Sequence, residues 1–238
     1  MSSDRRGTPT ALLWLLLLVA ATQLVLTYAM VSQTGKVTSE IQAGFARVEP
    51  PGNFRVPGVT ALGAPARGAA SAKVILVEFG DFSCPACAAA DPLLLDLLRH
   101  YPDRLRMAYR CYPLTKVHPN AEGQALVALA ADGAREFWNA YRLFYAGVLT
   151  GQEVAPDVAA ARLGLNWKSV RADPKVRARL ERDVRDAKRY GVTATPTFFI
   201  NGRRVVGVPR RGVLERLIQE ELGDSTRAGS EVRSFSSN

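Results

Sequence analysis

The most apolar part of the chain comes first. No charged residue lies between Arg6 and Lys36, and residues 11–31 are almost wholly apolar, interrupted mainly by Thr22, Gln23 and Thr27. A helix needs about 20 such residues to cross a bilayer core. A buried core helix would carry a polar face, which this stretch lacks. Arg5 and Arg6 precede it, so the pattern predicts a single-pass anchor over residues 10–31. Residues 1–9 would then stay in the cytoplasm and the rest of the chain would lie outside. A cleaved signal peptide is the competing reading, with Thr27-Tyr28-Ala29 as the cleavage site, although signal-peptide apolar cores run to only about 7–15 residues. Both readings export the remainder of the chain.

Further along, the pattern changes. Residues 32–61 are rich in Gly and Pro and read as a linker, with room for a short helix over 37–48. Residues 74–79, Val-Ile-Leu-Val-Glu-Phe, form a β-branched apolar run that predicts a strand buried on both faces. A turn at 80–83 and Pro85 introduce a helix over 86–100, whose apolar face is Leu93, Leu94, Leu97 and Leu98. A strand over 105–110 completes a right-handed βαβ unit. Helical patterning then recurs over 121–131, 134–146, 158–163 and 174–190, the last entered by Asp173 and Pro174 and stopped by Gly191. Strands over 197–200 and 203–208 are joined by Asn201-Gly202, the strongest two-residue hairpin signal. A helix over 213–222 closes the domain, and the polar residues 223–238 read as a disordered tail.

Composition narrows the function classes. With 238 residues, 47% hydrophobic and 22% charged, the chain can build a core, and wholesale disorder is excluded. The net charge of +9 raises the question of nucleic acid. The basic residues are scattered among acidic ones and no nucleic-acid motif accompanies them, so no nucleic-acid partner is expected. The basic residues of the 174–190 helix read as a solvated outer face opposite Val176, Leu180 and Val184, with anionic lipid as the minor alternative. Phe137, Trp138, Tyr141 and Phe144 read as core.

Three cysteines are too few for a stapled scaffold, which points to chemistry. Cys84-Pro85-Ala86-Cys87 directly follows a buried strand and opens a helix. Unpaired N–H groups and the positive dipole end there favour thiolate at Cys84. Cys84 is the expected exposed nucleophile, and Cys87, a turn into the helix, the shielded resolving thiol. A zinc site needs four ligands, and only Cys111, His100 and His118 could join the pair, at unconvincing spacing, so no metal is expected. Cys111 reads as a small buried hydrophobe and His118 as a structural or surface histidine.

At this point the sequence resembles the DsbA family of the thioredoxin superfamily. The resemblance is carried by residues 77–87 (VEFGDFSCPAC), 109–114 (YRCYPL) with His118-Pro119-Asn120-Ala121, and 191–202 (GVTATPTFFING). It implies that Pro196 is a cis-proline facing the cysteines, and that Thr195 pairs with an extended client backbone. It also implies that Glu78 is a proton-handling acid beneath the pair, where a strand position alone leaves open a partly exposed, solvated carboxylate. Pro85 suits an oxidase, whereas Ala86 stands where strongly oxidising members carry a histidine.

The expected fold is therefore α/β, a thioredoxin fold over residues 62–222 with an all-helical insertion at about 115–189, preceded by the N-terminal transmembrane helix. The expected function is an extracytoplasmic thiol–disulfide oxidoreductase anchored in the cell membrane. It would act on unfolded or cysteine-containing secreted clients, and oxidation would require a membrane redox partner. No cofactor is needed, because the cysteine pair carries both electrons. A reductase or isomerase of the same fold, or a non-catalytic client-binding module, are the alternatives.

Overall fold

In the computed structural model the chain divides into two compact units, Met1–Ala46 and Arg47–Asn238. The structure describes residues 55–223 and, in the first unit, residues 14, 15, 18–23 and 27, which are helical. Among the described residues, no helix is long and apolar enough to cross a membrane. Much of the expected anchor over 10–31, most of the linker and nearly all of the tail lie outside the described residues.

The second unit is built on a five-stranded mixed sheet of β1 (Ala66–Gly68), β2 (Val74–Gly80), β3 (Leu105–Cys111), β4 (Thr197–Ile200) and β5 (Arg203–Val206). Their spatial order is β1-β3-β2-β4-β5. The β2 run of Val, Ile, Leu and Phe belongs at the centre, because both its faces are covered. It pairs parallel with β3, Glu78 opposite Tyr109, and antiparallel with β4, Glu78 opposite Phe198. Helix α1 (Pro85–His100) makes the crossover from β2 to β3. The insertion follows as α2 (Ala121–Gly133), α3 (Phe137–Leu149), α4 (Pro156–Arg162), α5 (Trp167–Ala172) and α6 (Pro174–Arg189), and α7 (Arg211–Leu222) is the last element among the described residues. Asp173 caps α6 through the amides of Lys175 and Val176, as its position before Pro174 predicts. Asn201 (φ 46°) and Gly202 (φ 88°) both adopt the left-handed region that the tight hairpin turn demands.

Side chains alternate across β2. Leu76 joins the larger core cluster with Cys87, Leu94, Tyr109, Tyr141 and Tyr145, while Val77 and Phe79 face a smaller one with Ala187, Tyr190, Val192 and Phe199. Glu78 thereby falls on the Leu76 face, towards α1. The smaller cluster is completed by Val56, Val59, Ala61 and Ala64. This segment, read from sequence as the end of a linker, is strapped to the sheet. Val56 N–H donates to Gly202 O (2.9 Å), Tyr190 Oη to Gly58 O (2.6 Å) and Arg110 Nη1 to Thr60 O (3.3 Å). A Cβ at Gly202 would sit 2.9 Å from Val56 O, so glycine there is needed for the strap to lie down. β1 and α5 are further elements the apolar pattern did not reveal.

Candidate active site

Cys84 is the N-cap of α1 and Pro85 occupies the first turn, where a missing N–H costs nothing. The Cys84 N–H donates to Asp81 O (3.1 Å), closing the turn that carries the chain from β2 into the helix. Its thiol donates to Thr195 O at 3.6 Å. The sequence suggested an exposed sulfur, but Cys84 is only 7% exposed, because the loop around Thr195 covers it. Cys87 is fully buried, and Cys84, Cys87 and Cys111 are all free thiols. Pro85 is exposed and Ala86 half-buried, so the dipeptide forms the rim of the site.

Electrostatics separates the two cysteines. The Cys87 thiol first, then the Thr195 side chain and the amides of Cys87 and Ala86, favour the charged form of Cys84 and, against the opposing effect of burial, lower its pKa to about 6. Burial, and then the neighbouring Cys84 sulfur and Glu78, push the Cys87 thiol well above its ordinary value. Near neutral pH the reduced pair therefore holds a thiolate at Cys84 and a proton at Cys87.

Glu78 is wholly buried, and neither carboxyl oxygen has a hydrogen-bond partner among the described residues. Burial first, and the Asp91 charge next, raise its pKa well above the carboxylate range. Tyr109 and Tyr145, linked through their hydroxyls at 2.9 Å, and Tyr141 have their own ionisation suppressed by burial and by Glu78. Tyr141 Oη donates to Asp91 (2.9 Å), which pairs with Arg67 at 3.3 Å, and the Arg67 guanidinium lies 4.2 Å from the Trp138 ring centroid. Glu78 also lies close enough to Cys87 for its charge to raise the Cys87 pKa.

The Thr195–Pro196 peptide is cis and both residues are buried. The Thr195 hydroxyl is buried without a partner among the described residues. The structure thus brings Cys84, Cys87, Glu78, Thr195 and Pro196 into one region.

Two networks around the cysteines escaped sequence reasoning. The buried Asp81 accepts from Ser83 N–H (2.8 Å), Leu114 N–H (2.8 Å) and His118 Nδ1 (2.9 Å). His118, which showed no partner in the sequence, is part of this clamp. Ser83 Oγ lies 2.8 Å from Gln124 Oε1 and 2.6 Å from Glu153 Oε1, tying the residue before the nucleophile to α2 and to the α3–α4 loop. The Asp81-x-Ser83 pattern is a sequence signal for such a side-chain-to-backbone turn; nothing comparable marks His118, Gln124 or Glu153. At the end of β3, Arg110 makes a buried ion pair with Asp183 (Nε–Oδ1 2.6 Å) and a second with Asp186, while Asp183 also accepts the Cys111 N–H (3.0 Å). Cys111 itself is buried, as its strand-end position suggested.

Residues 60–220 match the thioredoxin family model. The chain belongs to the thioredoxin family. Its solved neighbours are DsbA-like thiol–disulfide oxidoreductases of that superfamily. The chain is similar to Pseudomonas aeruginosa DsbA2 (27% identity, TM-score 0.56, covering 68% of this chain and 96% of that one). It shares its fold with a thioredoxin-like oxidoreductase from Silicibacter pomeroyi (24% identity, TM-score 0.56, covering 67% and 92%). Among curated relatives, it is 39% identical over 143 residues to Na(+)/H(+) antiporter NhaA 1 of Salinispora arenicola, covering 58% of this chain and 22% of that one. It is 36% identical over 144 residues to Na(+)/H(+) antiporter NhaA of Herminiimonas arsenicoxydans, covering 59% and 23%. The chain therefore spans about a fifth of the length of these curated relatives.

Proposed function

We propose that this chain is an extracytoplasmic thiol–disulfide oxidoreductase that introduces disulfides into secreted proteins, with Cys84 as nucleophile and Cys87 as resolving thiol. The observation that carries this reading is the asymmetry of the pair: an α1 N-terminal sulfur with its pKa lowered to about 6 beside a fully buried thiol whose pKa is raised. In the oxidised state a client thiolate attacks the Cys84 sulfur of the Cys84–Cys87 disulfide. The S–S bond breaks and its electron pair leaves on Cys87, which takes up a proton supplied by Glu78. A second client thiolate then attacks the client sulfur of the mixed disulfide, and Cys84 departs as the stabilised thiolate. Two electrons pass to the pair, and a membrane redox partner removes them to restore the disulfide. Thr195 and Pro196 present backbone to an extended client beside Cys84, a form of recognition that reads main chain and suits many sequences.

The apolar residues 11–31 support a single-pass anchor. Relatives named as Na(+)/H(+) antiporters carry a similar segment within much longer chains, which supports work close to a membrane. One observation favours a reductase or isomerase instead. A nucleophile near pH 6 lies closer to thioredoxin (about 7) than to the strongest oxidant (about 3.5).

The deciding measurement is the reduction potential of the Cys84–Cys87 couple in the full chain, equilibrated in glutathione buffers. A value near about −120 mV supports oxidation, and one near about −270 mV replaces it with reduction. A Cys84→Ser variant should lose all exchange activity; retention of full cellular function by that variant would leave only a client-binding module.

A further inference from the structure

The basic charge of this chain has a direction. Between Arg162 and Arg189 the sequence holds ten Lys and Arg against four Asp and Glu. Three of those four acids are turned away from solvent or used locally. Asp183 and Asp186 pair with the buried Arg110, and Asp173 accepts the first amides of α6. Glu181 alone among them stands on the outer face of α6, 3.7 Å from Arg185 in a pair open to solvent. The cations go the other way. The inner face of α6 is Val176, Leu180, Asp183 and Ala187. At 100° per residue, Lys175, Arg182, Arg185 and Arg189 fall within an arc of about 80° opposite it, over a length of about 21 Å. Lys175, Arg185, Lys188 and Arg189 are exposed, and Lys175, Lys188 and Arg189 have no ion-pair partner among the described residues.

We infer that the outer face of α6 is a docking surface for anionic lipid headgroups. Two features select a membrane as the occupant. First, α6 adjoins the strap through which the chain enters the domain, since Arg182 Nη2 donates to Gly63 O (3.1 Å) and Tyr190 to Gly58 O. Gly58 follows the apolar stretch ending at Val31 by only 27 residues. Even fully extended, 27 residues reach no more than about 95 Å. With the anchor proposed above, a domain tethered within that reach of a bilayer meets its surface at high effective concentration, so weak headgroup contacts suffice. Second, Lys175, Arg185 and Arg189 are exposed along one side of α6 with no aromatic residue among them, which suits a diffuse phosphate plane better than stacked bases. The inference rests on the anchor reading of the proposed function but is independent of the thiol chemistry and of the oxidase reading.

The test is lysine acylation of the full chain read by mass spectrometry, with vesicles of phosphatidylcholine alone or containing about 30% phosphatidylglycerol. Anionic vesicles should slow acylation of Lys175 and Lys188 by about threefold or more while leaving Lys73 and Lys116 unchanged. About 0.5 M salt should abolish the difference. So should the double variant R185E/R189E, whose alkylation at Cys84 should match the parent and so report an intact fold. Equal slowing at all four lysines, or none at any, overturns the inference. Protection of Lys175 and Lys188 by duplex DNA but not by either vesicle also overturns it and assigns the stripe to nucleic acid.

Discussion

The Nδ1 atom of His118 sits 2.9 Å from Oδ2 of Asp81, an oxygen that also accepts the Leu114 amide. The other carboxyl oxygen holds the Ser83 amide, and the Asp81 carbonyl holds that of Cys84. One buried side chain thus fastens the loop before the nucleophile to the segment leaving β3.

Replacing Asp81 by Ala should therefore cost about 3 kcal/mol, because the amides of Ser83 and Leu114 lose their acceptor in a site closed to water. Removing only the imidazole, in His118→Ala, should cost about 1 kcal/mol, since Asp81 keeps its backbone donors. Urea unfolding of the reduced chain measures both. Equal losses, or none for Asp81→Ala, would show that the carboxylate does not organise the loop.

The Cys84 thiolate should appear at mildly acidic pH. Iodoacetamide alkylation of the reduced chain should rise with a midpoint at about 6 and level off above it. The shift is also a stability statement. Cys84 ionises more readily in the fold than the ordinary value of 9.0. The reduced form should then gain stability as pH climbs from about 6 towards 9 and lose it again on acidification. An alkylation midpoint above 8 would contradict this.

Glu78 carries the opposite sign. Its carboxyl is buried, unpartnered and raised well above its ordinary 4.5, so the folded chain favours the neutral form. Stability should decline as pH rises above 4.5, because the unfolded chain ionises and the folded chain resists. Glu78→Gln should remove that decline and stabilise the protein at pH 7 by about 2 kcal/mol. It should also slow release of mixed disulfides, since proton exchange with Cys87 is lost. Quenched-flow analysis of mixed-disulfide lifetimes, run beside thermal unfolding from pH 4 to 8, tests both; an unaltered lifetime would remove Glu78 from the mechanism.

Arg110 holds two acids and the Thr60 carbonyl from a buried position. Arg110→Met should destabilise by about 3–5 kcal/mol by stranding Asp183. Pairing it with Asp183→Asn should recover part of the loss. Chemical denaturation of the single and double variants reads the coupling; additive losses would mean that the pair is not interacting.

What could be read in advance follows physical lines. β2 and β4 are short, largely apolar runs, β3 sets two arginines among apolar residues, β4 and β5 are joined by the Asn201-Gly202 turn signal, and α6 has both a cap and a period. β1 is three residues, Ala66–Gly68, defined by backbone pairing with β3 and bearing no pattern of its own. α5 is six residues, too short for periodicity, and only Asn166 as its cap marks it. Within the site, Cys84, Cys87, Glu78, Thr195 and Pro196 announce themselves by residue type and local setting. The Asp81–His118 and Ser83–Gln124–Glu153 contacts bridge 37, 41 and 70 residues, and no local signal pairs such distant positions. The covering of Cys84 is likewise tertiary, since it depends on a carbonyl 111 positions away.

The strap that begins at Arg55 has a wider consequence. Arg55 grips Glu221 through two hydrogen bonds (2.5 and 3.0 Å) and the Asn201 carbonyl through a third, while Lys73 reaches the carbonyl of Leu222. The folded unit is entered and left at one corner, like a loop of rope closed by a single knot. Such a module can be spliced into a larger host without prying that host apart, because its two ends ask for almost no separation. The same closure forbids careless trimming. A shortened chain starting at residue 62 would uncover Val77, Phe79 and Phe199 and release the last helix at the same stroke.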